Sequence, residues 1–512
     1  MNTSDFNFED ILDEINISDL QNILFGVEKE SIRMSSKKIS EKSHYPELGS
    51  ALCNKYLTTD FSEAQLEFIT PPFDSSDLTI EFLDALHHFV YKNIKNERLW
   101  PFSMPPYIDS PEQISIANYG MSSLSQFKMI YREGLALRYG RLMQAISGIH
   151  FNFSLPKSIF LELESKNQIS ERSFRDEIYL SGIRNIFRNN WLLLYLFGAS
   201  PIVTKNFEAS LSKDFLFKNG IYYLPNATSL RMSNLGYNNV SRSELFISLD
   251  NLNEYISELS SATNTESKNF SKENVRGHEK LRQLNKNILQ IEDEYYSVAR
   301  PKSLINDDSR LISKLKRGGV DYIELRSIDI NPYNVSGISK KTLEFLKLFT
   351  TYCLFSNSPR IDKTTLSNIR MNDLLVSRMG RKKGLLIYDQ KNKVKLINRA
   401  KNIFEDLYKL NEMIGNNDSS IRYFEAMLDD SRLTPSARLL NEFLNFDGSI
   451  EELGINISDK HKESLNKKIA HDNGSFNKII LNEVERSKSE QNEMELDENH
   501  DLKTFLDNYF NG

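Results

Sequence analysis

Four stretches of this chain alternate apolar and polar side chains with period two, which predicts half-buried strands. In residues 26–34 the alternation puts Glu28 and Glu30 on one face. In residues 65–69, Gln65, Glu67 and Ile69 oppose Leu66 and Phe68 before a stop at Pro71-Pro72. Residues 148–156 set Ile149, Phe151, Phe153 and Leu155 against His150, Asn152 and Ser154. In residues 318–330, Tyr322, Glu324 and Arg326 share a face opposite Ile323 and Leu325. Helical spacing predicts helices over 1–24, 78–96, 123–140, 171–199, 343–354 and 400–414, and the aromatic stripe of 171–199 reads as core. Residues 100–107, with three prolines, read as a structured loop, and 200–290 mix loops with amphipathic helix. Residues 486–500, dense in Glu, Lys, Asn and Asp, read as a solvated helix or frayed tail.

Glu28 and Glu30 alone are what an exposed strand uses to discourage aggregation. The picture changes when the four polar faces are set side by side. With Asp60 at the turn before Glu67, one side of a sheet would collect five carboxylates (Glu28, Glu30, Asp60, Glu67, Glu324), the His150 imidazole and the Arg326 guanidinium. Such a concentration of negative charge requires cations. Mg²⁺ or Mn²⁺, hard ions with oxygen ligands, are the natural compensation, and such ions commonly also hold nucleotide phosphate. Beside these neighbours His150 reads as a ligand, whereas a histidine alone would read as structural.

Composition narrows the setting. A net charge of −6 with 26% charged residues argues against a general nucleic-acid binder. Cys53 and Cys353 are far apart and in no ligand-like spacing, which favours a reducing compartment over a disulfide framework. The acidic N-terminus lacks a signal-peptide layout, and the most apolar run, 191–199, is about half the length of a membrane span. A cytoplasmic, membrane-free, monomeric protein is therefore expected. No GxxxxGK[ST], GxSxG or HExxH motif occurs, and the glycine-flanked basic run 380–384 reads as an exposed loop rather than a phosphate cradle.

Ordered sequence blocks carry a family likeness over roughly residues 20–340. They are Phe25-Gly26-Val27-Glu28-Lys29-Glu30, Thr58-Thr59-Asp60-Phe61-Ser62-Glu63 through Pro71, and Leu99-Trp100-Pro101-Phe102-Ser103-Met104-Pro105. Tyr139 to Gln144, Ser147 to Pro156, Thr228 to Ser233 with Leu235-Gly236-Tyr237, and Tyr322 to Ser327 with Asp329 to Pro332 follow in order. Together they resemble glutamate–cysteine ligase of the proteobacterial type; past 360 the likeness thins.

The resemblance implies an α+β, glutamine-synthetase-like fold, in which a curved, mainly antiparallel sheet forms a funnel with helices packed outside. It implies ATP-dependent joining of L-cysteine to the γ-carboxylate of L-glutamate through γ-glutamyl phosphate, the first step of glutathione synthesis. Glu30, Asp60 and Glu67 would hold one Mg²⁺, and Glu28, His150 and Glu324 the ions nearer the phosphates, with Mn²⁺ as a substitute. Arg326 would meet the transferred phosphoryl group, and with Asn152 contact ATP. Arg231 would bind a substrate carboxylate, and Tyr131, Tyr237 and Tyr296 would line the cysteine pocket. Residues 1–340 would form the catalytic core, with a mostly helical 341–512 packed on it or continuous with it.

The chain departs from that pattern at Pro106, where many relatives have cysteine, so a disulfide there cannot form, and at Cys53-Asn54, in place of Thr-His. Neither change touches the implied ligands. Two rivals remain at this point: another ATP-dependent carboxylate–amine ligase with a different amine acceptor, and a relative that has lost its chemistry. A bifunctional enzyme would need a further ATP-grasp domain, for which the helical residues past 340 are too few.

Overall fold

The computed structural model describes residue 12 and residues 14–167, 169–236, 245–270, 276–277, 280–415, 419–469, 476–496 and 501–511. Strand β1 (Leu24–Ser35) runs through the main sheet and is its organising element. It pairs on one side with β3 (Gln65–Ile69), which continues to β2 (Leu57–Thr59). On its other side it pairs with β4 (Ile149–Ser154), followed by β6 (Tyr322–Ile328) and the edge strand β5 (Ala299–Lys302). The spatial order is β5-β6-β4-β1-β3-β2, and every pairing is antiparallel. Short strands Lys38–Ile39 and Arg98–Leu99 pair with the far end of β1. The class is the mixed α+β one that the family resemblance implies.

One face of the sheet makes the core. Phe25 and Val27 from β1, Leu66 and Phe68 from β3, Phe151 and Phe153 from β4, and Ile323 and Leu325 from β6 share a single apolar cluster. Burying each such side chain contributes about 1.5–3 kcal/mol. Four helices cover this face or pack beneath it: α1 (Ser76–Asn93), α3 (Glu171–Phe197), α4 (Lys340–Phe355) and α5 (Lys363–Met379). Serine side chains at Ser75, Ser170 and Ser339 accept from backbone N–H groups of the first turns of α1, α3 and α4, and so fix where these helices begin. Helix α2 (Ser123–Tyr139) starts the same way at Ser122. Leu343, Phe345 and Phe349 of α4 and Leu407 of α6 (Leu396–Met413) lie in the same cluster as Val27, so residues beyond 340 share the sheet's core.

One predicted element differs. Of the helix expected over 1–24, the described part is a helical end at Leu12 and Glu14 and a 3₁₀ turn, Ile17–Asn22, capped by Asn16. The stretch read as a solvated helix or frayed tail is the second half of α7 (Asn477–Leu496), helical and largely exposed from 486 to 496 with Ser487 buried, while the first half docks on the body of the protein through Ile480, Glu483 and Val484. Helix α8 (Leu502–Asn511) follows, with Phe505 and Tyr509 against Phe127 of α2. Residues 497–500 lie outside the described residues.

At the outer end of β1 a fully buried ion pair anchors the sheet: Arg33 Nη1 lies 2.7 Å from Glu97 Oε2. Arg33 also donates to the carbonyls of Lys42 and Glu63, and Ser40 Oγ donates to Glu97. Removing one partner strands the other charge in a dry site. Glu97→Ala is expected to cost about 3–5 kcal/mol in urea unfolding; a loss below about 1 kcal/mol would show that Arg33 finds other compensation.

Candidate active site

Register brings the four polar strand faces together. Glu28 stands opposite His150, and Glu30 opposite Glu67. Glu324 stands opposite Asn152 on the next strand. Between Leu325 and Ile328 the β4–β6 register slips by one residue, a bulge falling at Arg326 and Ser327. Strict alternation would have put Ile328 on the polar face with Glu324. The bulge instead returns it to the core, opposite Ile149.

His150 sits among three carboxylates. Its Nδ1 is 3.0 Å from Glu28 Oε2 and 3.5 Å from Glu324 Oε1, and its Nε2 is 3.6 Å from Glu30 Oε1. Burial, with the Arg326 charge, nonetheless holds its pKa below the ordinary value, which favours the neutral imidazole that ligates metals. Asn152 Nδ2 donates to Glu28 Oε1 at 2.8 Å, and the Gly148 N–H donates to Glu30 Oε2 at 2.8 Å.

The charge balance differs across the sheet. On the β6 side, burial pushes Glu324 up, but Lys302 and Arg326 outweigh it and hold the carboxyl well below its usual range. Lys302 Nζ is 3.3 Å from Glu324 Oε2, and Arg326 Nη1 is 2.8 Å from Glu324 Oε1. On the β3 side the cations are outweighed: Arg231 and Arg326 draw Glu30 down and Lys128 lies within reach of Glu67, yet neither carboxyl is held low. Burial, then the charges of Glu28, Asp60, Glu30 and Glu324, push Glu67 well up. Burial and Asp60 push Glu30 up to about 8.

This donor set fits a hard divalent cation. One ligand atom each from Glu28, Glu67 and His150 lie within 4.8 Å of one another. Carboxylates crowded together beside a neutral imidazole suit Mg²⁺ or Mn²⁺. The group mixes the two sets that the family likeness implies, Glu67 coming from one and Glu28 and His150 from the other, because these residues lie on the adjacent strands β3, β1 and β4. Asp60 stands near enough to act on Glu30 and Glu67.

Beside the carboxylates lies a cavity of about 100 Å³ lined by His150, Arg231, Tyr296, Arg326, Phe187 and Asp373. Arg231 is buried, and its Nη2 donates to the Arg326 carbonyl at 2.9 Å. Tyr296 Oη donates to Gln144 Oε1 at 3.0 Å, and the Tyr131 hydroxyl, on α2, lies close enough for the two phenols to influence each other. Tyr237 lies outside the described residues.

Two residues escaped the sequence reading. Lys302 belongs to Ala299–Lys302, where Pro301 masks the strand pattern; proline is at home on an edge strand, and β5 is one. Gln144 is buried with its Nε2 unpartnered, beside Tyr296. Its signal was weak: a lone amide at the end of a helix-like run.

A carboxyl that keeps its proton longer in the folded than in the unfolded state stabilises the fold at low pH. That contribution fades as pH rises from the ordinary 4.5 through about 8 for Glu30. In chelator, thermal stability is therefore expected to fall between about pH 5 and 8, by up to about 1.4 kcal/mol per pH unit for each such group. Glu67→Gln should flatten the fall by removing a repelling partner. Melting curves across pH check this, and an unchanged slope in the variant counts against it.

The comparisons with known proteins agree with this geometry. Residues 9–376 match the family model for glutamate-cysteine ligase. The chain is 38% identical over 498 residues to glutamate–cysteine ligase of Aliivibrio fischeri, covering 95% of each chain. It is 41% identical over 440 residues to that of Alcanivorax borkumensis, covering 83% of each. The likeness to relatives thus extends through the helices past 376. Among solved structures, glutamate–cysteine ligase from Francisella tularensis in complex with AMP superposes with a TM-score of 0.87 at 29% identity, covering 96% of this chain and 98% of that one. A bifunctional glutathione synthetase from Pasteurella multocida matches in fold, with a TM-score of 0.67 at 24% identity over 89% of this chain and 54% of its own. The chain belongs to the glutamate–cysteine ligase family, and its fold and its reaction, ATP-dependent ligation of cysteine to glutamate, are those of that family.

Proposed function

We propose that the polar face of β1, β3, β4 and β6 carries out this ligation, with the two sides of the sheet face divided between the substrates. The observation that supports it most is the charge asymmetry: at Glu324 the cations Lys302 and Arg326 outweigh burial, whereas at Glu30 burial and Asp60 outweigh Arg231 and Arg326, and at Glu67 burial and like charge prevail. Glu30, Asp60 and Glu67 hold a divalent cation on the glutamate side, and Glu28, His150 and Glu324 hold cations on the phosphate side, with Asn152 and Arg326 toward ATP. When bound, Mg²⁺ or Mn²⁺ neutralises the phosphates and the γ-carboxylate and so lowers the barrier between two anions.

The protein's own groups do the rest. Arg326, kept charged beside Glu324, neutralises the equatorial oxygens of the phosphoryl group as it leaves ADP for the glutamate γ-carboxylate. Arg231, on the wall of the cavity, fixes the glutamate α-carboxylate and so aligns the acceptor. The product of this step is γ-glutamyl phosphate. The cysteine amine attacks its carbonyl, the C–N bond forms, phosphate leaves with the C–O electrons, and the amine gives up a proton. Tyr131, Tyr237 and Tyr296 enclose the small thiol side chain and keep out water, which would hydrolyse the acyl phosphate. Glu28 and Asn152, joined by a hydrogen bond, fix the position of the phosphate side.

We also take residues 1–340 to supply this chemistry, with 341–512 packed on them, and the enzyme to work as a cytoplasmic monomer. Among the described residues no helix is long and apolar enough to cross a membrane.

Phosphate release from ATP with Mg²⁺ and glutamate should rise with cysteine far more than with alanine or glycine; equal rates would overturn the amine-acceptor assignment. Arg326→Ala should lower kcat by about 10²–10³-fold with little change in melting temperature. Glu28→Gln should mainly raise the Mg·ATP requirement and Glu30→Gln mainly that for glutamate, and identical kinetic defects would undo the division of the face.

A further inference from the structure

The turn that bears Asp60 is held by groups to which the chemistry assigns no part. Tyr119 is buried beneath it, and its Oη donates to the Thr59 carbonyl at 2.9 Å and accepts from Thr59 Oγ1 at 3.1 Å. The Asp60 carbonyl is 3.3 Å from the same Oη and accepts from Arg132 Nε at 2.5 Å. The Arg132 guanidinium in turn lies over the Tyr119 ring, 4.8 Å from its centroid. A tyrosine ring and a stacked arginine thus fix the main chain at Asp60 while leaving its carboxylate to face Glu30 and Glu67.

Tyr119 is itself gripped from α7. Glu483, Ser487, Gln491 and Glu495 recur every fourth residue and form one stripe of that helix. Gln491 Nε2 donates to the Tyr119 carbonyl at 2.7 Å, and the Met121 N–H donates to Glu495 Oε1 at 2.9 Å. One and two turns earlier, Ser487 Oγ accepts from the Ser50 N–H at 3.1 Å, and Glu483 Oε1 from the Lys55 N–H at 2.8 Å. These contacts reach backbone atoms on both loops flanking the Asp60 turn. Gly120, at φ +109°, lies beneath the ends of the Gln491 and Glu495 side chains.

We propose that Tyr119 is a positioning residue for the divalent-cation site, and that the α7 stripe acts through it as a brace on the Asp60 turn. This rests on the reading that Asp60, Glu30 and Glu67 hold a cation. A site built from mutually repelling carboxylates needs its members held in place before the cation arrives, since otherwise repulsion swings the most mobile one away. Asp60, on a turn rather than within a strand, is that member. The outer contacts of a cation site typically set affinity by about 10–100-fold.

The test is Mn²⁺ binding to the full chain, followed by electron paramagnetic resonance, with melting temperature in chelator measured alongside. Tyr119→Phe keeps the ring and the arginine stacking and removes only the hydroxyl; it is expected to weaken Mn²⁺ binding about tenfold. Gln491→Ala, at the helix surface, is expected to weaken it about threefold by freeing the Tyr119 carbonyl. Both should melt within about 2 °C of the wild type in chelator, where only a fold defect would register. Unchanged Mn²⁺ affinity in both variants overturns the proposal. So does a weakening matched by a collapse of the chelated melting temperature. Glu67→Gln separates the two levels: if it binds Mn²⁺ like the wild type, the cation site itself is misassigned, whereas loss of binding there with normal binding in Tyr119→Phe overturns the brace alone.

Discussion

The structure turns on a repulsion that the fold enforces. Glu30 and Glu67 face each other across β1 and β3, with Glu28 one step along the same face. Like charges placed directly opposite on a sheet destabilise it by up to about 1 kcal/mol each pair. The other side of the same strands outweighs this. Each large apolar side chain buried beneath β1, β3, β4 and β6 contributes about 1.5–3 kcal/mol, and register cannot slip without moving all of them to the wrong face. The core therefore sets the positions of the carboxylates, which are in turn too close to be content without cations. Function here is stored as electrostatic discontent, held in place by hydrophobic packing.

That repulsion is not uniform, and the gradient is informative. Lys302 and Arg326 hold Glu324 low on the outer strands, whereas around Glu30 and Glu67 burial and like charge outweigh the nearby cations. A sheet face that is compensated at one side and under-compensated at the other has a direction built into it. An anionic ligand is drawn to the first side and a cation to the second, so phosphate and carboxylate substrates can be brought together without either meeting a uniform field.

Period-two alternation made much of the site legible, because a strand with one buried face writes its orientation into the sequence. His150, Asn152, Glu28, Glu30 and Glu67 all lie on the faces that the alternation gives. It failed where the backbone departs from the ideal. The bulge at Arg326 and Ser327 has no glycine or proline to announce it, and Pro301 hid the strand that carries Lys302. At α7 it was silent on contacts: Gln491 and Glu495 stand in a stretch that reads as solvated and is largely exposed, yet both bond loop backbone. Polar residues that satisfy loop backbone atoms look the same in sequence as polar residues that satisfy water. Composition alone cannot tell the two apart.

The reach of α7 along the chain has a consequence in time. Tyr119 meets Gln491 across a separation of 372 residues, and Ser50 meets Ser487 across 437. At roughly 5–20 residues per second, synthesis of the intervening chain takes on the order of 20–90 s. The strands that carry Glu28, Glu67 and His150 have all left the ribosome long before that helix does. During that interval the loops on either side of Asp60 have no helix to close on. Completion of this pocket is thus timed by translation, and the emergence of α7 marks the moment at which a growing chain can first hold these loops in their final form.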